Sequence, residues 1–144
     1  MKKRLAAASM ILAIFLLSGC AARDIAPDSG QGTTASPPAA AYQKTTAEEA
    51  RRIMDETEGY ITLDVRTKDE YDQGHIEGAV LLPVTDIAKK AGEQLKEKDQ
   101  VILVYCRSGN RSAQAAQLLI DMGYTKVYDF GGIIDWPYET TTGK

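Results

Sequence analysis

The sequence predicts an α/β fold with a central, mostly parallel sheet and helices on both faces. Val101-Ile102-Leu103-Val104-Tyr105 runs five apolar residues without alternation, the pattern of a strand covered on both sides. Around it, short strand-like segments alternate with amphipathic helical ones, as in a βαβ arrangement. The chain has 144 residues, 44% hydrophobic and 26% charged, which suits one domain. Only residues 43–144 have folding composition, and a domain of that size buries a core without disulfide staples.

The elements follow in order. Thr46-Ala47-Glu48-Glu49 fits a capping box, with Thr46 as cap and Glu49 three residues on. The helix it opens runs to about Glu56 with Ala50, Ile53 and Met54 inward, and Gly59 ends the connection. Tyr60 to Val65 is a strand carrying charge at its end, and Thr67 caps a short helix through Tyr71. Ala79 to Leu82 is a second strand stopped by Pro83, followed by a polar helical region from Asp86 to Lys98. After the Val101–Tyr105 strand, Cys106 to Asn110 is a turn, and Arg111 or Ser112 begins a helix to Met122. Its wet stripe is Gln114, Gln117 and Asp121, its dry side Ala113, Ala116, Leu119 and Ile120. Gly123 caps it. Lys126 to Phe130 is the last strand, and Gly131-Gly132 leads to Ile133, Ile134 and Trp136.

The N-terminus reads as an address. Lys2, Lys3 and Arg4 precede a 13-residue apolar stretch, Leu5 to Leu17, broken only by Ser9. It falls short of the roughly 20 residues that span a bilayer. The stretch ends in Leu17-Ser18-Gly19-Cys20, which resembles the lipobox of bacterial lipoproteins. The resemblance implies a signal peptide over residues 1–19 and acylation of Cys20. It also implies a protein held by its lipid anchor on the extracytoplasmic or periplasmic face of the cell envelope. Residues 20–42 are the lipidated cysteine and a flexible tether, rich in alanine and proline with a single Ile; its ends sit roughly 26 Å apart on average. Loss of residues 1–19 leaves 14 basic against 20 acidic side chains. Nothing in that balance attracts nucleic acid. With no exposed apolar stripe evident, a tethered monomer is expected. Cys20 and Cys106, the two cysteines, lie in settings too different for a disulfide scaffold.

The chemistry concentrates at Cys106. It stands between a buried strand and a helix start, the carboxyl end of a parallel sheet where ligands bind. Unpaired backbone N–H groups of the turn and helix start, with Arg107 and Arg111 nearby, lower a thiol pKa and hold an anion against the sulfur. Gly109 permits a backbone conformation that side chains obstruct. A protein tyrosine phosphatase also cradles a cysteine between strand and helix, but its loop is one residue longer than the four-residue spacing between Cys106 and Arg111. The shorter loop favours an attacked atom close to the sulfur.

Leu63-Asp64-Val65-Arg66, Glu70-Tyr71, Gly74-His75-Ile76-Glu77-Gly78-Ala79, Tyr105-Cys106-Arg107-Ser108-Gly109-Asn110-Arg111-Ser112 and Gly131-Gly132-Ile133 with Trp136 follow in order. In this the chain resembles a single-domain rhodanese, a thiosulfate-type sulfurtransferase, across roughly residues 43–140. The segment after Trp136 is briefer than the family's. The resemblance implies a rhodanese-like domain with Cys106 as nucleophile and Arg107, Ser108, Gly109, Asn110 and Arg111 around the substrate. It implies supporting roles for Asp64, Arg66, Glu70, His75 and Ser112.

The implied reaction is ping-pong. The thiolate takes a sulfane sulfur from thiosulfate or a related small anionic donor, and the Cys106 persulfide passes it to cyanide or a thiol. The loop N–H groups of Arg107 to Arg111 stabilise the persulfide, Arg111, together with Arg107, attracts the donor, and no metal or organic cofactor is needed. Two other classes stay open: a persulfide carrier or sulfur-sensing module, and a small-anion cysteine phosphatase or arsenate reductase. Among the supporting residues, Asp64 is expected to orient an arginine behind the cradle. Glu70 is expected to turn inward toward backbone or Arg66, His75 to make a structural hydrogen bond, and Trp136 to cover the core.

Overall fold

In the computed structural model, which describes residues 41–143, five strands form one sheet in the order β1-β5-β4-β2-β3. The predicted signal segment, Cys20 and the tether up to residue 40 lie outside the described residues. The strands are β1 (Gln43–Lys44), β2 (Ile61–Asp64), β3 (Val80–Leu81), β4 (Val101–Cys106) and β5 (Lys126–Gly132), and every pairing is parallel. The helices are α1 (Ala47–Glu56), α2 (Lys68–Gln73), α3 (Ile87–Gln94) and α4 (Asn110–Asp121).

The central strand β4 explains the two-sided core. Ile102, Val104 and Cys106 enter the cluster formed with α3 and α4, while Leu103 and Tyr105 enter the cluster formed with α1, Phe130 and Trp136. Successive side chains of a strand point to opposite faces, so an unbroken apolar run requires cover on both. Helices supply it.

Local chemistry sets the ends of the elements. Thr46 Oγ1 accepts the Glu49 N–H at 3.2 Å at the start of α1. The box is half made: the Glu49 carboxylate accepts instead from Arg52 Nε at 2.9 Å. The reciprocal box forms at α2, where Thr67 and Glu70 satisfy each other's backbone donors, and α2 runs two residues past Tyr71, to Gln73. Gly123, at φ 89, closes α4, with Gly123 N–H donating to Ile120 O at 2.9 Å and Tyr124 N–H to Leu119 O at 3.0 Å. That is the paired bonding of a left-handed helix end.

Other boundaries also differ from the sequence reading, and β5 runs on through Gly131 and Gly132. The pair Gln43–Lys44 joins β5 as an edge strand, too short to carry periodicity, and Tyr42, read as the last tether residue, packs on the core. α3 stops at Gln94 because Leu95 leaves the helix to bury completely. α4 starts at Asn110, before Arg111, because Gly109 takes the cap position. Its dry side includes Ser112 and Ala115, while Ala113 is half-buried; the earlier start does not rotate the helix, but the sheet and β5 cover a stripe next to the one chosen by hydrophobicity.

Candidate active site

β4 delivers Cys106 to the carboxyl edge of the sheet, where Arg107-Ser108-Gly109 turns the chain into α4. Gly109 adopts φ 99, a left-handed conformation that a side chain would strain. In that geometry its N–H donates to Cys106 Sγ at 3.1 Å. The sulfur is almost wholly enclosed, with the residue 1% exposed. Burial pushes the Cys106 thiol up, but the backbone N–H groups of Ser112, Ser108 and Gly109 and the Ser112 hydroxyl outweigh it and hold the thiol below its ordinary range. Of the expected run from Arg107 to Arg111, it is the Gly109 N–H that reaches hydrogen-bond distance of the sulfur, with the Ser108 N–H from the same run and the Ser112 N–H just beyond it also favouring the thiolate.

The arginines differ in state. Arg111 donates to both carboxylate oxygens of Glu70, each at 2.7 Å. This corrects two expectations: Glu70 partners Arg111, not Arg66 or backbone alone, and the Arg111 charge is already met by a carboxylate. The reason is local, since the capping box at Thr67 fixes Glu70 on the first turn of α2, facing the first turn of α4. The Arg107 side chain is exposed and has no hydrogen-bond or ion-pair partner among the described residues. Ser108 and Asn110 are exposed beside it.

Behind the loop, Asp64 orients an arginine, and that arginine is Arg66. Arg66 Nε lies 2.9 and 3.0 Å from the two Asp64 oxygens, and Nη2 lies 2.6 Å from Oδ2. Nη2 also donates to Gly74 O at 2.7 Å. The pair is buried, so removing one partner strands a charge and costs about 3–5 kcal/mol. His75 stacks on Tyr71 at 3.6 Å between ring centroids, and its Nδ1 lies 2.9 Å from Tyr71 O. Its backbone exchanges two 2.8 Å hydrogen bonds with Thr141. This ring is engaged in architecture. The short segment after Trp136 thus docks through Thr141.

Ser112 is fully buried. Its hydroxyl oxygen lies 2.9 Å from Gly109 O and 3.2 Å from Gly131 O, so it ties the loop to the end of β5. Gly132 approaches closer still: a Cβ there would stand 2.4 Å from Arg107 O and 2.7 Å from Ser108 Cα. Ile134 N–H donates to Arg107 O at 3.3 Å, and Asp129 Oδ1 accepts the Gly131 N–H at 3.0 Å. Sequence reasoning placed Gly131-Gly132 after the last strand and in the family's closing motif, without a contact for it, and passed over Asp129. The glycine pair was the available signal for a close backbone approach. Trp136 is 8% exposed and its ring lies 5.5 Å from Phe130, covering the core as expected.

The Glu70–Arg111 pair has a pH signature. Arg111 and the Thr67 cap hold the Glu70 carboxyl down at about 2, from an ordinary 4.5. Its folded-state value is depressed, so its stabilisation is complete above 4.5 and is lost as pH falls from there toward 2. Urea unfolding of Glu70→Gln is expected to show a loss of about 1 kcal/mol at pH 7. The gap to wild type closes toward pH 3, and a gap independent of pH contradicts the assignment.

The arrangement matches known proteins. A model of the rhodanese-like domain matches residues 46–137. The chain is 36% identical over 73 residues to the thiosulfate sulfurtransferase PspE of Escherichia coli (strain K12), covering 51% of this chain and 70% of that protein. It is 41% identical over 88 residues to a sulfurtransferase of Allochromatium vinosum, covering 60% and 79%. A solved rhodanese with anions from E. coli superposes with a TM-score of 0.56 at 32% identity, covering 59% of this chain and 100% of that one. With the family segment spanning β2 to β5, the cysteine loop and the glycine pair, the chain belongs to the rhodanese-like domain family.

Proposed function

We propose that this protein is a sulfurtransferase that carries a sulfane sulfur on Cys106, from thiosulfate or a related anionic donor to a thiophilic acceptor. One observation carries the reading: a nearly enclosed thiol at the end of β4 whose sulfur accepts the Gly109 N–H at 3.1 Å from the turn that opens α4. Family membership and the sulfurtransferase relatives support sulfur transfer as the chemistry.

In the first half-reaction the Cys106 thiolate attacks the outer sulfur of thiosulfate. A new S–S bond forms, the donor S–S bond breaks, and sulfite leaves with the electron pair. The persulfide anion replaces the thiolate among the same donors, which stabilise charge as it moves from one sulfur to the next. In the second half-reaction cyanide attacks the outer sulfur, thiocyanate leaves, and the thiolate returns. Arg107, with no counter-ion of its own among the described residues, draws the donor; Arg111 holds the loop through Glu70. No step needs an external oxidant or reductant.

Steady-state rates of thiocyanate formation at several fixed cyanide concentrations test the reading. Parallel double-reciprocal lines are expected, and converging lines contradict a persulfide intermediate. Ser112→Ala frees the loop from Gly109 O and Gly131 O and so loosens the Gly109 N–H on the sulfur; the pH at which loading reaches half its maximum is expected to move upward relative to wild type. An unmoved profile would remove Ser112 from that role.

We further propose that Cys20 is lipidated and anchors the protein outside the cytoplasm, a reading supported by Leu17-Ser18-Gly19-Cys20 at the end of the apolar stretch. Metabolic labelling with palmitate is expected to mark wild type and not Cys20→Ala; labelling of both would refute it.

A further inference from the structure

Beside the cysteine loop lies a cleft of about 530 Å³, walled by Arg107, Ile133, Ile134, Trp136, Tyr138 and Thr140. We propose that it is the acceptor subsite, and that the acceptor it takes is a small organic thiol carrying one carboxylate. The proposal rests on the sulfur-transfer reading above and names its second substrate.

Size is the first argument. The volume falls in the range of small-molecule sites, whereas thiosulfate and cyanide would leave most of it empty. Cys106 is not on its wall; the cleft borders the loop through Arg107 and through Glu70, the partner of Arg111.

Charge is the second. Arg66 and Glu70 also face the cleft, but Arg66 is spent on Asp64 and Glu70 on Arg111. That leaves Arg107 as the one uncompensated charge on the wall, matching a single carboxylate.

The apolar side is the third. Ile134 is 65% exposed and Tyr138 39% exposed; both line this cleft, with Tyr138 on the ridge between it and a neighbouring cavity. Exposed apolar side chains gathered around a polar anchor mark a ligand surface, suited here to the methylene chain of the thiol. Tyr138 and Thr140 also lie beyond residue 137, where the family match ends. They are held by the Thr141–His75 backbone pair and by Tyr138 packing edge-on against Trp136 at 4.9 Å. The outer wall thus belongs to this chain's own terminal segment.

The transfer balances without redox partners. The acceptor enters as its thiolate, its proton having gone to solvent, and attacks the outer sulfur of the Cys106 persulfide. That S–S bond breaks as the new one forms, the electron pair returns to Cys106 Sγ, and the acceptor departs as a persulfide.

The full chain is first loaded with thiosulfate and checked by mass, then freed of donor and discharged with 3-mercaptopropionate, 2-mercaptoethanol or cysteamine. Rates are compared per concentration of thiolate. The carboxylate thiol is expected to be faster than the neutral one by about tenfold, the size of one charge-assisted contact, with the cationic thiol slowest. Arg107→Gln brings the ratio near one, and Tyr138→Ala raises the half-saturating concentration of 3-mercaptopropionate severalfold. Equal wild-type rates, or a ratio that survives Arg107→Gln, would overturn the subsite. Failure of the wild-type chain to load would overturn sulfur transfer itself and the subsite with it, and it is read before any acceptor is added; Arg107→Gln, whose donor attraction is weakened, is loaded with excess thiosulfate before its ratio is read.

Discussion

Cys106→Ser is expected to fold like the parent and to transfer no sulfur. The substitution exchanges one atom at a site that is 1% exposed, leaving no cavity of consequence and keeping a polar atom to meet the Gly109 N–H. The chemistry is lost for two reasons. A hydroxyl does not ionise near neutral pH, so the donors that hold the thiol below its ordinary range have no anion to stabilise. Oxygen also forms no persulfide. No second thiol occurs among the described residues, and Cys20 lies outside them, so nothing in the folded domain substitutes. Thiocyanate formation should fall to the uncatalysed background while circular dichroism and the thermal midpoint stay near wild type. Residual turnover in Cys106→Ser would remove Cys106 as the nucleophile.

The second large effect is at Gly132, far from the cysteine in sequence. Its φ of -115 is ordinary extended backbone, so alanine meets no conformational penalty there. The obstacle is steric. An added Cβ would lie 2.4 Å from Arg107 O, 2.7 Å from Ser108 Cα and 2.9 Å from Arg107 C. All three are backbone atoms of the loop, which cannot swing aside as a side-chain tip can. Either the loop or the end of β5 must shift, and the Ile134–Arg107 hydrogen bond shifts with it. Overpacking of this kind costs about 1–3 kcal/mol. A displacement near 1 Å in a positioned site lowers rate by about 10²-fold. Gly132→Ala should therefore keep its secondary structure, lose several degrees of thermal midpoint and load sulfur about a hundredfold more slowly. Wild-type loading in this variant would mean that the glycine pair does not set the loop.

Much of this architecture was legible from the chain. The unbroken run in β4 announced a strand covered on both faces, and Ile102 and Leu103 enter opposite core clusters as that pattern requires. The turn after Cys106 was legible because glycine and arginine make poor core partners at the end of a buried strand. Partners were harder to read. Glu70 and Arg111 are 41 residues apart, and nothing local marks which carboxylate a distant arginine will meet; the capping box that aims Glu70 needed only Thr67 and Glu70, yet its consequence depends on where α2 docks. Asp64 and Arg66, two residues apart, were readable as neighbours. The edge strand Gln43–Lys44 was hidden because two residues carry no period; Ser112 was named as a supporting residue, but its partners were hidden because Gly109 O and Gly131 O are backbone groups.

The central claim is that Cys106 carries the sulfur covalently between two half-reactions. Intact-protein mass spectrometry of the full chain, after thiosulfate and again after cyanide, tests it most directly. The account predicts a gain of about 32 Da, one sulfur, that is absent in Cys106→Ser and disappears on cyanide addition with release of thiocyanate. No gain from thiosulfate or polysulfide would contradict sulfur transfer at this site, and a gain that persisted after cyanide would contradict the second half-reaction.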